Sequence, residues 1–399
     1  MKKHIILLWI PLLAAAVSGG EFLNKSRQLF LGYSIGSDSI FENQNGVPDG
    51  QSGVTALARG VDGNVYGGTS ATENRSPYVF LFKKSSNLVT AVKALDSKIK
   101  GQRRINNALV AGGDGYIYGG TSNYDDVVWQ SLNERVNEKY AGGRLFRFKE
   151  GGSLEIEDLC GVPAKEGVRT MASDPSRMKI YGLTEPSYKF FVYDLKQKKV
   201  NVRSDAELLN AKENSYMNRL QVRLGRALAV DRDGKVWGSA YGSRLFCYDP
   251  ARDKLEVTGV IFPFSLGHDD INGVSAFALA PDGMIYGGTH TDGILFKFDP
   301  ASKKVWNLGK PGMAPCIRSL TVTKNGSVVG VLGQKGMPAH VFRYADGSFE
   351  VVGEIRTHVL RADYNWYASD LDPSVYLPEG MVLFGNAGRI GKLVSYYGN

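Results

Sequence analysis

Residues 281–300 read PDGMIYGGTHTDGILFKFDP, and this stretch contains most parts of a unit that recurs along the chain. An Asp-Gly pair leads into a short apolar run that ends in Tyr-Gly-Gly-Thr, and a loop then leads into Leu-Phe-Lys-Phe-Asp. Asp-Gly between apolar runs predicts a tight hairpin turn, because these residues adopt a positive φ at little cost. With the apolar residues 277–279 ahead of it, the stretch predicts three consecutive antiparallel strands.

The unit can be traced seven times, with its turn at positions 62, 114, 174, 233, 282, 325 and 379. A unit of four short strands cannot bury both of its faces alone, so consecutive copies must stack on one another. The sequence therefore predicts an all-β, seven-bladed β-propeller that forms a single domain over residues 21–399. The last unit lacks an outer strand, and we expect the N-terminal run 28–34 to supply it and to close the ring.

Residues 1–20 have the pattern of a signal peptide. Lys2 and Lys3 precede the apolar run 5–17, and the small residues Ser18, Gly19 and Gly20 follow it. No later apolar run approaches the roughly 18 residues that a membrane helix needs. The sequence thus predicts a soluble, monomeric protein that is periplasmic or secreted.

The charge balance favours an anionic ligand only weakly. The formal net charge is +8, and removal of Lys2 and Lys3 leaves 46 basic residues against 40 acidic ones. No stripe of Lys and Arg interleaved with aromatic residues is present, so nucleic acid is not an expected partner. Cys160, Cys247 and Cys316 have neither zinc-site nor disulfide-framework spacing, although one pair could still form, and Cys247 is predicted to be a semi-exposed thiol.

The repeat of Asp-Gly, Tyr-Gly-Gly-Thr and Leu-Phe-x-Tyr-Asp-Pro resembles that of exported bacterial seven-bladed propellers, over nearly the whole chain after the signal. Among them it is similar to carbohydrate-active enzymes: the ulvan lyases, oligogalacturonide lyase and the propeller rhamnosidases that act on rhamnose-glucuronate linkages. The resemblance implies an enzyme that acts on an anionic, uronate-containing polysaccharide or oligosaccharide, by lyase-type β-elimination or by hydrolysis.

Two histidines of the fifth unit are the candidate catalytic pair. His268 lies in the loop that leads into the first strand, and His290 follows Tyr-Gly-Gly-Thr, so an intervening hairpin returns both to one end of the ring. This arrangement resembles that of the ulvan lyases, which have two functional histidines on either side of such a hairpin. The alternative is that His268 begins a polar turn and His290 is an exposed loop residue.

Elimination from a uronate needs a base for the C5 proton, an acid for the leaving oxygen and a cation or amide for the carboxylate. Histidine suits the base because its ordinary pKa of about 6.5 is close to working pH. Tyr241 is the candidate acid. The candidate substrate-binding residues begin inner strands or lie in a long loop, and they are Asn107, Arg169, Arg226, Arg318 and Trp366. Arginine can bind a carboxylate in two places, and Trp366 can stack on a sugar ring, but each residue could instead have a structural role.

Other functions stay open at this point. The chain could be a non-catalytic propeller that binds a glycan or a protein, or a purely structural module. The sequence does not identify a cofactor, and the oxygen donors Asp269, Asp270 and Asn272 leave a structural divalent cation open without matching an EF-hand. No GxSxG, P-loop or HExxH motif is present, which disfavours serine hydrolases, nucleotide enzymes and zincins.

Overall fold

A computed structural model describes residues 20–24, 30–34, 51–71, 75–124, 139–203, 208, 225–269, 271–333, 339–357, 371–386 and 392–397. Apart from two short 3₁₀ turns, at Leu95–Ser97 and Pro175–Arg177, the regular structure in these residues is β-strand. Within them, no helix is long and apolar enough to cross a membrane.

The strands form seven antiparallel sheets arranged as blades. The N-terminal strands are β1 (Gly20–Asn24) and β2 (Phe30–Ser34). Blade 1 contains β3 (Gln51–Arg59), β4 (Val65–Ala71), β5 (Tyr78–Lys83) and β6 (Leu88–Ala94). Blade 2 contains β7 (Leu109–Ala111), β8 (Tyr116–Gly120), β9 (Arg144–Lys149) and β10 (Glu157–Gly161). Blade 3 contains β11 (Gly167–Asp174), β12 (Lys179–Glu185), β13 (Phe190–Asp194) and β14 (Lys199–Val202).

The remaining four blades repeat this order. Blade 4 contains β15 (Leu228–Val230), β16 (Val236–Ala240), β17 (Arg244–Asp249) and β18 (Lys254–Ile261). Blade 5 contains β19 (Val274–Leu279), β20 (Ile285–Thr289), β21 (Leu295–Asp299) and β22 (Lys304–Gly309). Blade 6 contains β23 (Ile317–Val322), β24 (Val328–Leu332), β25 (Ala339–Ala345) and β26 (Ser348–Thr357). Blade 7 contains β27 (Leu371–Leu377), β28 (Met381–Asn386) and β29 (Lys392–Tyr397). The predicted all-β seven-bladed propeller is confirmed.

The Asp-Gly turns join the first and second strands of the blades. In blade 1, Asp62 Oδ1 accepts from the backbone N–H of Asn64 at 3.0 Å, and its Oδ2 accepts from the Tyr66 hydroxyl at 2.7 Å. Gly63 has φ +79°, which other residues rarely adopt, so it completes the turn. The same contacts recur at Asp114 in blade 2, which explains the fixed spacing between the turn and the tyrosine.

Each of the paired glycines makes room for a different neighbour. A Cβ atom on Gly67 would overlap the ring of Phe80, which belongs to the third strand of the same blade. A Cβ atom on Gly68 would press against Ile105 of the next blade, at 2.8 Å. The first glycine therefore admits the phenylalanine of the Leu-Phe strand, and the second allows adjacent blades to approach closely.

The ring is continuous at its inner strands. Each inner strand lies beside that of the next blade, and β27 of blade 7 lies beside β3 of blade 1. Val54 and Phe80 of blade 1 pack in one buried cluster with Leu383 and Leu393 of blade 7. Apolar layers of this kind between blades form the core, as stacked sheets require.

The N-terminal strands lie beside the last two blades. β2 pairs with β29 as the fourth strand of blade 7, and β1 pairs with β26 as a fifth strand of blade 6, which the sequence did not predict. That β2 closes and locks the ring stays a prediction, because strand order does not measure what this pairing contributes. The signal peptide, predicted over residues 1–20, lies almost wholly outside the described residues.

The three cysteines are free thiols. Cys247 is buried, and burial raises its pKa to about 12, so the prediction of a semi-exposed thiol was wrong. The reason is that Cys247 faces the layer between blades 4 and 5, where it belongs to the same cluster as Trp237 and Phe296.

Candidate functional site

The loops that carry the candidate residues lie at the end of the ring opposite the Asp-Gly turns. We call this end the mouth. It contains the lead-in loop ahead of each blade's first strand and the loop between its second and third strands. In blade 5, His268 lies in the lead-in loop and His290 directly follows β20. The His290 backbone N–H donates to Gly273 O at 2.8 Å, so both loops leave the same edge of the hairpin.

His268 forms a pair with a carboxylate that the sequence did not single out. Its Nδ1 lies 2.6 Å from Asp292 Oδ1. The Asp292 side chain is 2% exposed, whereas that of His268 is 40% exposed. The lead-in loop and the second-to-third loop of blade 5 are thus joined by a buried carboxylate that holds a partly accessible imidazole.

Asp292 is itself held by groups on both sides. Its Oδ2 accepts from the backbone N–H of Ser265 at 2.8 Å and from Asn272 Nδ2 at 3.0 Å. Burial alone would raise the pKa of Asp292, but the hydrogen bonds from Ser265 and His268 outweigh it and hold this pKa below its ordinary value. The Asn272 amide is fixed in turn, because its Oδ1 accepts from the N–H groups of Gly273 and Thr291.

This arrangement determines which imidazole nitrogen can act as a base. An ionised carboxylate can only accept hydrogen bonds, so Nδ1 of His268 is the donor. In the neutral imidazole the lone pair is then on Nε2. A fixed tautomer beside a negative charge is the arrangement that lets a histidine take a proton and hold it.

Tyr241 lies in the neighbouring loop of blade 4, between β16 and β17. The Arg244 guanidinium lies 5.7 Å from the centre of its ring. In the same loop, Ser243 Oγ donates to Asp269 O at 2.9 Å, so the Tyr241 loop touches the His268 loop. The acid role of Tyr241, and the convergence of His268 and His290 on one pocket, stay predictions.

The predicted substrate-binding residues on the inner strands occupy one repeated position. In blades 1 to 6, one residue of the first strand pairs with the first glycine of the second strand, and the repeated position lies two residues before it. In blade 7, the corresponding residue of the first strand pairs with Phe384. In blades 1, 3, 5 and 6 the strand register shifts at this position, as it does in a β-bulge. From blade 1 to blade 7, the residues at this position are Thr55, Asn107, Arg169, Arg226, Ser275, Arg318 and Asp372.

Several of these side chains bind the neighbouring blade. Thr55 Oγ1 donates to Ile105 O at 2.7 Å, and Ser275 Oγ donates to Ile317 O at 2.6 Å. Asn107 Nδ2 lies 3.3 Å from both Thr170 Oγ1 and Arg226 O, which belong to blades 3 and 4. The repeated position thus ties the blades together where the inner strands begin.

Arg169 is the most buried of the three arginines. Its Nε donates to Gly225 O at 2.8 Å, and a guanidinium nitrogen lies 3.2 Å from Glu185 Oε2 in an ion pair with both side chains buried. Glu185 Oε1 also accepts from Asn106 Nδ2 and Ser122 Oγ, both at 2.6 Å. Arg169 therefore links blade 3 to its neighbours, while Arg226 and Arg318 are half-buried. A role for any of them in substrate binding stays a prediction.

The remaining predictions fall partly outside the described residues. Trp366 lies outside them, as does Asp270 of the candidate cation donors. Among the residues that are described, no group of three or more His, Cys, Asp or Glu side chains is placed to hold a metal ion. Asp292 was the functional candidate that sequence reasoning missed. The sequence could have indicated it, because Asp292 is the acidic residue of the loop 290–294 and lies two positions after His290.

No protein-family model matches the sequence, and no curated protein is significantly similar to it. The fold matches solved propellers. Virginiamycin B lyase from Staphylococcus aureus, solved as a catalytically inactive variant with quinupristin, superposes with a TM-score of 0.60 and 9% identity, over 93% of this chain and 100% of that chain. A streptogramin B lyase superposes with a TM-score of 0.59 and 10% identity, over 91% and 97% of the two chains.

A sensor protein has the same fold. The extracellular domain of a protein assigned to the hybrid two-component systems of B. thetaiotaomicron superposes with a TM-score of 0.58 and 14% identity. The match covers 92% of this chain and 39% of that one, so the present chain spans about two fifths of the sensor domain's length. At these identities the likeness establishes the propeller fold alone.

Proposed function

We propose that this chain is an exported lyase that cleaves a uronate-containing polysaccharide by β-elimination at the mouth of the propeller, with His268 as the base. The observation that carries the proposal is the 2.6 Å contact between His268 Nδ1 and the buried Asp292 carboxylate. Such a carboxylate fixes the tautomer and stabilises the imidazolium that forms when Nε2 takes a proton.

The proposed step uses a small set of groups. His268 Nε2 removes the C5 proton of the uronate, whose acidity depends on neutralisation of the adjacent carboxylate. The electron pair of the C5–H bond forms the C4–C5 double bond, and the bond from C4 to the glycosidic oxygen breaks. That oxygen takes a proton from Tyr241 or His290. Arg226 and Arg318 are the groups we assign to the carboxylate, because a guanidinium can bind it through two hydrogen bonds.

Two further observations support this assignment. Without Lys2 and Lys3 of the signal segment, the chain has 46 basic residues against 40 acidic ones, an excess that weakly favours an anionic substrate. The similar virginiamycin B lyase is a lyase on the same fold, and its catalytically inactive variant replaces a histidine by alanine. The similarity supports histidine-dependent elimination on such a ring but gives no information on the substrate of the present chain.

Export, ring closure and the monomeric state belong to the same proposal. Residues 1–20 have the pattern of a signal peptide, and the similar sensor domains are extracellular. The strand β2, which follows that segment, is proposed to complete blade 7 after export.

The test is the His268→Ala variant, assayed for unsaturated product by ultraviolet absorbance over a panel of uronate polysaccharides. We expect the wild-type protein to cleave at least one of them and the variant to lose about 10²- to 10⁴-fold in kcat, the usual contribution of a positioned base. His340→Ala is the matched control, because His340 is a half-buried histidine of blade 6 with no role in the proposal. Full activity in His268→Ala would contradict the assignment.

A second candidate function is ligand binding without turnover. It is favoured by the similarity to extracellular sensor domains, which places this fold in receptors as well as in enzymes. On this alternative, calorimetry would detect a glycan or protein that binds at the mouth, and no bond would be cleaved in the wild-type protein.

A further inference from the structure

Three side chains lie in a row across the outer strands of blade 5. Tyr286 of β20 pairs directly with Lys297 of β21, and Lys297 pairs directly with Trp306 of β22. The neighbours of Lys297 along its strand, Phe296 and Phe298, belong to the apolar layer shared with blade 4. Because successive side chains of a strand point to opposite faces and directly paired residues share a face, the row lies on the face toward blade 6.

Two ammonium groups lie against the Trp306 ring. The Nζ atom of Lys297 is 5.0 Å from the ring centre, and the Nζ atom of Lys304, two residues before Trp306 on the same strand, is 4.8 Å from it. Both distances are within the roughly 6 Å over which an aromatic face attracts a cation. Neither ammonium group forms an ion pair with a carboxylate of the residues that the structure describes. The tryptophan thus holds two positive charges together where the described part of the chain supplies no counter-charge.

The same positions of two other blades show what is unusual about blade 5. In blade 2, Arg147 of the third strand pairs with Glu157 of the fourth, and its Nε lies 2.7 Å from that carboxylate. In blade 6, Arg343 of the third strand likewise pairs with Glu350 of the fourth. Blade 5 keeps the cation but has Trp306 in the place of the glutamate. A glutamate would neutralise the cation within the blade, whereas a tryptophan leaves the negative charge to be supplied from outside.

The joint between blades 5 and 6 is also more open than the four joints before it. At each of those four, an aromatic ring of the second strand contacts a ring of the next blade's third strand, and both are buried: Tyr66 with Phe148, Tyr118 with Tyr193, Tyr181 with Tyr248, and Trp237 with Phe298. The equivalent residues of the fifth joint, Tyr286 and Tyr344, are both half-buried. Phe349 is half-buried as well, and its ring centre lies 4.9 Å from that of Tyr344.

These side chains form one continuous surface. Tyr286, Tyr344 and Phe349 pack against a single apolar cluster between blades 5 and 6, and Tyr286 is directly paired with Lys297. We call this surface the outer groove, and it consists of Tyr286, Lys297, Lys304 and Trp306 of blade 5 with Tyr344 and Phe349 of blade 6. It combines partly exposed aromatic rings with two adjacent cations.

A ligand that fits the outer groove must bring both negative charge and a surface that packs against aromatic rings. Each unit of a uronate chain has both, because its carboxylate binds an ammonium group and the C–H face of its sugar ring packs against an aromatic side chain. The row from Tyr286 to Trp306 covers about 10 Å, which is two spacings between neighbouring strands and close to the length of a disaccharide. A nucleic acid favours a longer basic stripe, and a membrane favours apolar side chains that protrude, whereas these rings are half-buried.

We infer that the outer groove is a second, non-catalytic binding site for an anionic glycan. Lys297 and Lys304 bind its carboxylates, and the rings beside them pack against its sugar units. The site lies on strands between blades 5 and 6, whereas His268 and Asp292 lie in the loops of the mouth. The inference therefore does not depend on whether His268 cleaves the glycan.

The test is the double variant Lys297→Gln/Lys304→Gln in the His268→Ala background, with oligogalacturonate as the probe and calorimetry as the measurement. We expect a class of sites whose affinity falls about 4- to 25-fold in the double variant, about two- to fivefold for each exposed ammonium-carboxylate pair. Added salt should weaken the same sites, and less so in the double variant. Lys297→Arg/Lys304→Arg, which keeps both charges, should retain the affinity.

The chain offers a matched control in blade 3. Lys199 begins the fourth strand there and pairs with Asp194, as Lys304 pairs with Asp299 in blade 5, but Asn201 stands where blade 5 has Trp306. Lys199→Gln removes the same charge from the same strand position and should leave the affinity unchanged. A carboxyl-reduced, neutral form of the probe should bind more weakly than the acidic form. Lys304 is exposed and Lys297 half-buried, so the thermal unfolding of both double variants should match that of their parent.

The outcomes separate this inference from the proposed function. Equal binding of oligogalacturonate by the double glutamine variant and its parent, or equal binding of the neutral probe, would overturn the inference. Tighter binding to anionic phospholipid vesicles or to a single-stranded oligonucleotide, lost in the double variant, would also contradict it. Binding that needs the two lysines, with no unsaturated product from the protein that retains His268, would support the outer groove and overturn the lyase. Cleavage without binding that depends on the lysines would leave the lyase and overturn the outer groove.

Discussion

Asp292 shows how one residue can determine the chemistry of a loop. Three groups converge on its carboxylate: the Ser265 N–H, the Asn272 amide and the His268 imidazole. A buried carboxylate is costly unless its oxygens are satisfied, so these contacts are needed to keep it ionised. The same contacts give the imidazole a single orientation, which a solvent-exposed histidine would lack.

We expect Asp292→Asn to lower kcat on the cleaved uronate by about 10²- to 10⁴-fold. The amide can donate a hydrogen bond to Nδ1, which would place the imidazole proton on Nε2 and remove the base. Asp299→Asn is the matched control, because Asp299 caps an exposed turn at the opposite end of blade 5. An equal loss of kcat in both variants, or no loss of kcat in Asp292→Asn, would contradict the role of Asp292 in orienting the His268 imidazole.

The stability of the same variant should depend on pH in a defined direction. The pKa of Asp292 is held below its ordinary value, so the charged form stabilises the fold above the unfolded pKa of about 3.9 and this contribution is lost as pH falls through the folded pKa. The melting temperature of the wild-type protein at neutral pH should therefore be higher than that of Asp292→Asn, and the difference between the two should become smaller below about pH 4. A difference in melting temperature that stays constant down to pH 2 would show that the Asp292 charge contributes nothing to the stability of the fold.

At the scale of elements, the blades were predictable because each depends on contacts between residues close in sequence. Asp62 binds groups two and four residues away, so the same letters recur wherever the turn recurs. Blade 3 departs from the pattern. Asp174 caps a 3₁₀ turn there, and Met178 with φ 54° takes the left-handed position that glycine has elsewhere. The pairing of His268 with Asp292 spans 24 residues and depends on the lengths of two loops, which no local pattern encodes.

The paired glycines give a prediction at this scale. A Cβ atom on Gly287 would overlap the ring of Phe296, so Gly287→Ala should destabilise the fold by about 1–3 kcal/mol through overpacking. Gly259, in the outer strand β18, has open space around its Cα and an ordinary φ, so Gly259→Ala should change stability by less than about 0.5 kcal/mol. Chemical denaturation of both variants measures the difference. Similar values for the two would mean that the Gly-Gly pair is not kept by packing against phenylalanine.

At the scale of the whole molecule, the ring depends on its joint between blades 7 and 1. Blade stability in a repeat protein is largely a sum of nearest-neighbour interfaces, so a ring with a weak joint opens there first. Val54 and Phe80 pack against Leu383 and Leu393 across this joint. The seven turns in the sequence predicted the number of blades, but they could not predict β1 on the edge of blade 6, because five residues without the repeat carry no register signal.

The closing role of β2 is tested by chains that begin at residue 20, 25 or 35. The chain that begins at residue 25 lacks only β1, a fifth strand added to a complete blade, and should lose less than about 1 kcal/mol of unfolding free energy. The chain that begins at residue 35 also lacks Phe30–Ser34, which leaves β29 as an unpaired edge beside the joint. We expect it to lose about 3 kcal/mol or more and to aggregate, because exposed strand edges pair with other chains. Guanidinium denaturation measures the free energies, and light scattering detects the aggregation. Equal stability of the chains that begin at residues 25 and 35 would mean that the contacts between β27 and β3 hold the ring without the N-terminal strand.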